Sequence, residues 1–232
     1  MFEWAIAKRH ILGNPKMVLF TVISLALAVG VIMVLMGITE GYRENIISNT
    51  IENNPHITVE PKEDEDYIYL YETVSKIIWK YSDVQAVSPR LKGKAAAKHK
   101  DNVKGVSFIG VDPIQEDRLM KVQDDIVQGD YYDLRFKKFS AIVGTDLAND
   151  LDLKLGDDFY LTRHNISIKV EAVGFIETGT SQDQYLIYLP LETTQDLLGE
   201  GDVVSEVGVK LSDIYVAPVI VDDLKARTNY EV

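Results

Sequence analysis

MVLFTVISLALAVGVIMVLMGIT, residues Met17 to Thr39, is a run of 23 residues without a charge, held between Lys16 and Glu40. As a helix rising about 1.5 Å per residue it reaches roughly 34 Å, against a hydrocarbon core of about 30 Å. A helix in a soluble core rarely stays apolar on every face over such a length, because one face normally meets water. A cleavable signal peptide has an apolar run of about 7–15 residues that ends in small residues. Here the run is longer, 16 residues precede it, and Met36 to Gly41 is a poor cleavage site. The stretch predicts a transmembrane helix with Met17 and Thr39 at its ends.

Its flanks orient it. Lys8, Arg9 and Lys16 stand on the N-terminal side against the single acid Glu3, whereas Glu40, Arg43, Glu44 and Glu52 follow the run. The positive-inside rule places residues 1–16 in the cytoplasm and the main domain outside. Within residues 1–16, Phe2, Trp4, Ile6, Ile11 and Leu12 oppose Glu3, Lys8 and Arg9, which predicts an amphipathic segment on the inner membrane surface, broken by Gly13-Asn14-Pro15. Inside the span, Ala26 and Gly30 have the small-xxx-small spacing that admits a neighbouring helix. Residues 40–52 continue as a helical stalk.

Beyond the span about 190 residues remain, enough for one large domain or two small ones. Removing Lys8, Arg9, Lys16 and Glu3 from the totals of 24 basic and 36 acidic residues leaves a net charge of −14 after the span. So acidic a domain has no basic face for phosphates, which argues against nucleic acid as a partner. With no cysteine, thiolate metal sites, thiol catalysis and disulfides are excluded.

The external part reads as α+β. His56 to Glu60 alternates like a strand, a helix with apolar spacing opens near Asp66 and carries Tyr67, Leu70, Tyr71, Val74, Ile77, Ile78 and Tyr81, and Val84 to Ala97 returns as a strand. Shorter pieces follow: strands at 106–111 and 141–144, a helix over 146–151, a turn at 155–158, strands at 159–161 and over Ile166 to Ala172, a strand from Tyr185 to Leu189, and a helix after Pro190 that ends before Gly199. Val207, Val209 and Leu211 alternate with Glu206, Gly208 and Lys210 as in a strand. Pro218 then starts a helix bearing Ile220, Val221 and Leu224, and Tyr230 to Val232 is extended. The expected architecture is one transmembrane helix, then two β-α-β halves, 53–104 and 203–232, around an inserted β-rich subdomain at 105–202.

Chemistry is sparse. His10, His56, His99 and His164 are scattered without metal-ligand spacing. There is no nucleophile elbow, no Ser-x-x-Lys and no phosphate loop, so no catalytic, cofactor or metal residue is assigned and the chain is not expected to be an enzyme. Asp124-Asp125, Asp157-Asp158 and Asp222-Asp223 read as turn residues and caps, and Asn165-Ile166-Ser167 as a chance sequon. One polar loop follows a strong strand, Thr178, Gly179, Thr180, Ser181, Gln182 and Asp183; it either faces a partner or connects two strands.

The order of parts resembles ABC-transporter permeases of the FtsX/MacB/LolC-LolE type. The likeness is carried by Trp4-Ala5-Ile6-Ala7-Lys8-Arg9 before the span, Gly41 after it, Ile142 to Leu151 with Leu153-Lys154-Leu155-Gly156-Asp157, and Val173 to Gly179 through Asp183 to Tyr188-Leu189-Pro190-Leu191. The resemblance implies a prokaryotic inner-membrane subunit with porter-like and sabre-like subdomains. It implies a homo- or heterodimer with a second permease subunit and a separate cytoplasmic ATPase that binds ATP, so this chain holds no cofactor itself. Such permeases transmit ATP-driven motion outward, to release lipoproteins, to drive efflux with an extracytoplasmic adaptor, or to regulate cell-wall hydrolases; the phrase from Tyr185 to Leu191 is nearer the lipoprotein-releasing branch. The family's three further spans would follow Val232, so the 232 residues are expected to be part of a longer protein. The alternative reading is a single-span anchored module whose acidic domain binds a ligand or mediates adhesion.

Overall fold

The computed structural model describes residues 15–52, 54–228 and 230–232. The predicted amphipathic segment, apart from Pro15 and Lys16, lies outside the described residues. Two compact units result, Met1–Glu52 and Asn53–Val232.

In the first unit, helix α1 runs Pro15–Glu52, 38 residues. Its stretch Pro15–Gly41 is long and apolar enough to cross a membrane and buries nothing within the chain. Both threonine hydroxyls of the span bond within the helix, Thr21 Oγ1 to the Met17 carbonyl at 2.9 Å and Thr39 Oγ1 to the Leu35 carbonyl at 2.8 Å, so neither needs water. Around Gly30 there is open space, with nothing within 4 Å of where a Cβ would stand.

The second unit is built on one nine-stranded sheet: β1 (Ile57–Val59), β2 (Val84–His99), β3 (Asn102–Val111), β4 (Ile126–Gly129), β5 (Ser140–Gly144), β6 (Asp158–Arg163), β7 (Ile166–Ile176), β8 (Leu186–Pro190) and β9 (Glu206–Leu211). The helices are α2 (Tyr71–Ile78), α3 (Pro113–Met120), α4 (Asp133–Phe136), α5 (Thr145–Leu151), α6 (Leu191–Leu198) and α7 (Ala217–Arg227). The strand order is β1-β9-β2-β3-β8-β5-β7-β4, with β6 pairing both β2 and β7. That last strand closes a ring, β2-β3-β8-β5-β7-β6 and back to β2, which leaves those six strands no open side.

Two cores follow from this arrangement. Inside the ring Leu91, Phe108, Val143, Phe159, Leu161, Val170, Ile187 and Leu189 pack together, with Leu147 and Leu151 of α5 and Leu197 of α6. On the β1-β9 wing, Ile57, Val59, Val207, Val209 and Leu211 pack with Val74 and Ile78 of α2 and Ile220 and Leu224 of α7. Strand β2 belongs to both: Val84 to Arg90 pairs β9, and Ala96 to Lys98 pairs β6. The chain therefore passes from one core to the other within β2, whereas the sequence-based division at 104/105 falls inside β3.

Several elements differ from expectation. Helix α2 begins at Tyr71, not near Asp66, because Ile68 is already used in a bridge to Val204. Strand β9 is buried at Glu206 and Gly208 as well as at its valines, since β1 and β2 flank it and α3 covers its second face. Helix α3 was not anticipated, although its start is legible: Asp112 accepts from the N–H groups of Ile114 and Gln115 at 2.9 and 3.1 Å, with Pro113 in the first turn. Strand β4 and helix α4 were likewise unread. The remaining strands and helices match the expected ones within a few residues, and the α+β class with one N-terminal apolar helix holds.

Candidate functional site

The polar loop between β7 and β8 is built around one carboxylate. Asp183 is buried and accepts from the N–H groups of Thr178 and Gly179 at 2.9 and 3.0 Å and from the Thr178 hydroxyl at 2.8 Å. Thr180 caps the short turn Ser181–Gln184, Gly179 takes the left-handed conformation (φ 69°), and the Thr178 and Thr180 hydroxyls are 2.8 Å apart. Of the six candidate residues, Gly179, Thr180, Ser181 and Gln182 face water, Thr178 is half-buried, and Asp183 turns inward. Asp183 is therefore the support and the other five form the surface.

The loop packs on the β5–α5 junction, where a Cβ on Gly144 would overlap the Asp183 carbonyl oxygen. It is also tied to the turn before β4, because Glu177 donates its N–H to the Asp125 carbonyl at 3.0 Å. Burial, then the charges of Asp124 and Asp183, push the Asp125 carboxyl above its ordinary range. Beside the loop, a groove of about 470 Å³ runs between β4 and α5, floored by Phe175 and Leu153 and edged by Val127, Thr145, Asn149 and Lys154. Val127 and Leu155 keep their apolar side chains exposed there. The lining mixes these apolar groups with Gln128, Thr145, Asn149 and Lys154, and it holds no arrangement of nucleophile and base.

A second feature was missed from the sequence. Arg90 on β2 is 5% exposed and Glu116 on α3 is 0% exposed. Their pairing is bidentate, Nε to Oε2 at 2.9 Å and Nη2 to Oε1 at 2.6 Å. Arg90 Nη1 also reaches Glu206 Oε1 at 3.3 Å, and Lys92 Nζ reaches Glu206 Oε2 at 2.7 Å. Burial alone would lower the Arg90 pKa, but the charge and hydrogen bonds of Glu116, with Glu206 beyond, raise it above its ordinary value, so Arg90 stays a cation. Tyr131 and Tyr188 meet edge to face nearby, with centroids 5.9 Å apart, and burial pushes both phenols up. The cluster staples α3 to β2 and β9. Its members are 26 and 116 residues apart, so no local pattern announces them.

A family sequence profile, described as the MacB-like periplasmic core domain, matches residues 18–227. The chain belongs to that family. The match begins inside the apolar helix and continues to the end of α7, so it runs through both units. Lipoprotein-releasing system transmembrane protein LolE of Haemophilus influenzae is 23% identical over 233 aligned positions, 94% of this chain and 55% of LolE. LolC of Neisseria meningitidis is 21% identical, over 89% of this chain and 53% of LolC. The chain thus spans about half the length of these curated relatives.

Solved structures agree on the fold. The periplasmic region of MacB from Actinobacillus actinomycetemcomitans superimposes with a TM-score of 0.57 at 14% identity, over 78% of this chain and 86% of that one. The extracellular domain of the noncanonical ABC-type transporter YknZ from Gram-positive bacteria gives 0.56 at 16% identity, over 75% and 96%. The resemblance to permeases of the FtsX/MacB/LolC-LolE type therefore stands, and the MacB-like domain is a transporter permease component.

Proposed function

We infer that this chain is the membrane-anchored extracytoplasmic part of an ABC-transporter permease that turns cytoplasmic ATP hydrolysis into movement of its external domain, for lipoprotein release or export. The observation that carries this reading is the family match running from residue 18 to 227, through apolar helix and external domain alike; the 94% coverage by LolE favours the lipoprotein-releasing branch. In this reading residues 1–16 lie in the cytoplasm, Met17–Thr39 crosses the prokaryotic inner membrane, and Ala26 and Gly30 face a neighbouring helix. Residues 53–104 with 203–232 form a porter-like subdomain and 105–202 a sabre-like one. A second permease subunit completes a dimer, a separate ATPase binds ATP, and the rim Thr178 to Gln182 meets a lipoprotein or an extracytoplasmic adaptor.

The acidic external domain and the closed strand ring support a passive, force-bearing role, because a closed ring moves as a rigid body. The test is co-purification of the protein, tagged in its native cell, from mild detergent extracts. An ATPase subunit and a second permease should come with it in comparable amounts. Recovery of the protein alone from repeated native preparations defeats the proposal.

A further inference from the structure

Helix α4 ends in Arg135-Phe136, and Lys137-Lys138-Phe139 lead from it into β5; every one of these side chains is exposed. Phe136 is 77% and Phe139 46% exposed. Single exposed apolar side chains are ordinary, but these two rings stand three residues apart on a backbone held from several sides. Ser140 Oγ donates to the Lys137 carbonyl at 2.6 Å, the buried Thr193 hydroxyl of α6 donates to the Lys138 carbonyl, and the Glu171 N–H donates to the Phe139 carbonyl at 3.0 Å. Leu134, buried, anchors the helical turn below them. Rings displayed on so fixed a loop lose little further backbone entropy when a partner covers them.

Electrostatics narrows the occupant. The external domain is strongly acidic, so a second copy is repelled over most of its surface. Around these two rings the signs balance. Lys137 Nζ meets Glu171 at 2.8 Å, and Lys138 Nζ meets Asp196 at 3.0 Å and Glu192 at 3.7 Å, while standing 5.6 Å from the centroid of the Phe139 ring. Two charges on this surface are loosely held. Arg135 meets no carboxylate among the described residues. Glu192, with a side chain 75% exposed, has only the longer arm of a lysine that it shares with Asp196. Both lie on one surface, because Lys138 is three residues from Arg135 and touches Glu192.

We propose that this loop is the face by which the external domains of two copies of the chain meet across a two-fold axis, with Phe136 and Phe139 of both copies at its centre and Arg135 of each paired with Glu192 of the other. A two-fold interface must complement itself. This surface offers rings to rings and a loosely held cation to a loosely held acid. A partner of one strong sign is served poorly, since Arg135, Lys137 and Lys138 stand among Glu171, Glu192 and Asp196. Aromatic and arginine side chains inside a charged rim are also the composition of binding hot spots. The contact rests on the dimer proposed for the permease and makes the second subunit a copy of this chain.

The chain has no cysteine, so a single introduced one reports the contact. The full chain with Lys137→Cys, in mild detergent, is treated with a short bismaleimide. It should cross-link to a dimer several-fold more than chains carrying Asp101→Cys in the β2–β3 turn or His164→Cys in the β6–β7 turn. Adding Phe136→Asp, Arg135→Glu or Glu192→Arg to Lys137→Cys should each cut the yield several-fold. The Arg135→Glu and Glu192→Arg chains, mixed, should regain it, because in a mixed pair both contacts again join opposite charges. Pairing of Arg135 with Glu192 inside one chain cannot give that rescue. Equal yields at 137, 101 and 164, single variants that cross-link like the parent, or a mixture that stays uncoupled each overturn the proposal. Light scattering separates it from the dimer reading. A chain of dimer mass that cross-links at 137 no better than at 101 defeats this surface alone. A monomer that still brings a different permease out of native membranes defeats the second copy and leaves the transport reading standing.

Discussion

Arg90 grips Glu116 through two hydrogen bonds, Nε to Oε2 at 2.9 Å and Nη2 to Oε1 at 2.6 Å, and both side chains are buried. An ion pair so placed adds little net stability relative to an apolar pair of the same shape, but a half-pair is costly. Glu116→Ala leaves a buried guanidinium with Glu206 alone and should destabilise the external unit by about 3–5 kcal/mol. The triple change Arg90→Met, Glu116→Leu, Glu206→Leu should cost less than that single change. Urea unfolding of residues 53–232, followed by circular dichroism, compares the two; a triple variant weaker than Glu116→Ala would refute the staple.

Asp183 and Gly144 hold the β7–β8 loop from opposite sides. Asp183→Ala removes a charged acceptor from two backbone N–H groups and a hydroxyl, at a cost of about 2 kcal/mol. Gly144→Ala pushes a methyl against the Asp183 carbonyl and should cost about 1–3 kcal/mol. Both variants should be cut by protease within residues 177–185 faster than the parent chain.

Phe108 fills the interior of the strand ring and lies where a Cβ on Gly93 would be. Phe108→Ala should cost about 3–5 kcal/mol, as the ring of strands cannot collapse onto the space. A shift of the unfolding midpoint by less than a quarter of that would mean the ring is looser than its packing.

The Asp125 carboxyl titrates above its ordinary range, chiefly through burial. A carboxylate raised in the fold opposes stability while it is ionised, and the penalty disappears as pH falls through its folded pKa. Asp125→Asn should therefore stabilise the domain at neutral pH, by less than about 1 kcal/mol because solvent screens much of the effect. The gain should vanish in acid below the ordinary carboxylate range. Unfolding curves of both proteins at neutral and acid pH check the sign.

Topology is testable without disturbing the fold. In intact cells with a permeabilised outer layer, a membrane-impermeant maleimide should label Asp101→Cys, while Lys8→Cys should react only after lysis. The reverse pattern would invert the orientation.

Much of this protein was legible residue by residue. The apolar run, the alternation over Ile166 to Ala172, and Pro190 opening a helix that Gly199 closes in the left-handed conformation (φ 72°) are all local signals, carried by one element's own solvent pattern or backbone preference. The polar loop over 178–183 was visible for the same reason, since no apolar period runs through it. The inward turn of Asp183 was not, because it depends on the N–H groups of Thr178 and Gly179 converging in space.

Helix α3 escaped because a charged residue, Glu116, lies on its buried side, and strand β4 because four residues, three of them exposed, are too few to show an alternation. The alternation over Glu206 to Leu211 does not mark a wet face and a dry one, because alternation separates two faces only when water touches one of them, and here Glu206 and Gly208 are buried too. By itself, the sequence determined that a membrane helix leads into an acidic, cysteine-free α+β domain, because length, charge and hydropathy act along the chain. Tertiary structure alone decided that β6 closes the strands into a ring, that β2 serves both cores, and that Arg90 meets Glu116 and Glu206. Those outcomes depend on pairings across 26 to 116 residues, where the cost of burying a charge is set by the partner that the fold brings to it.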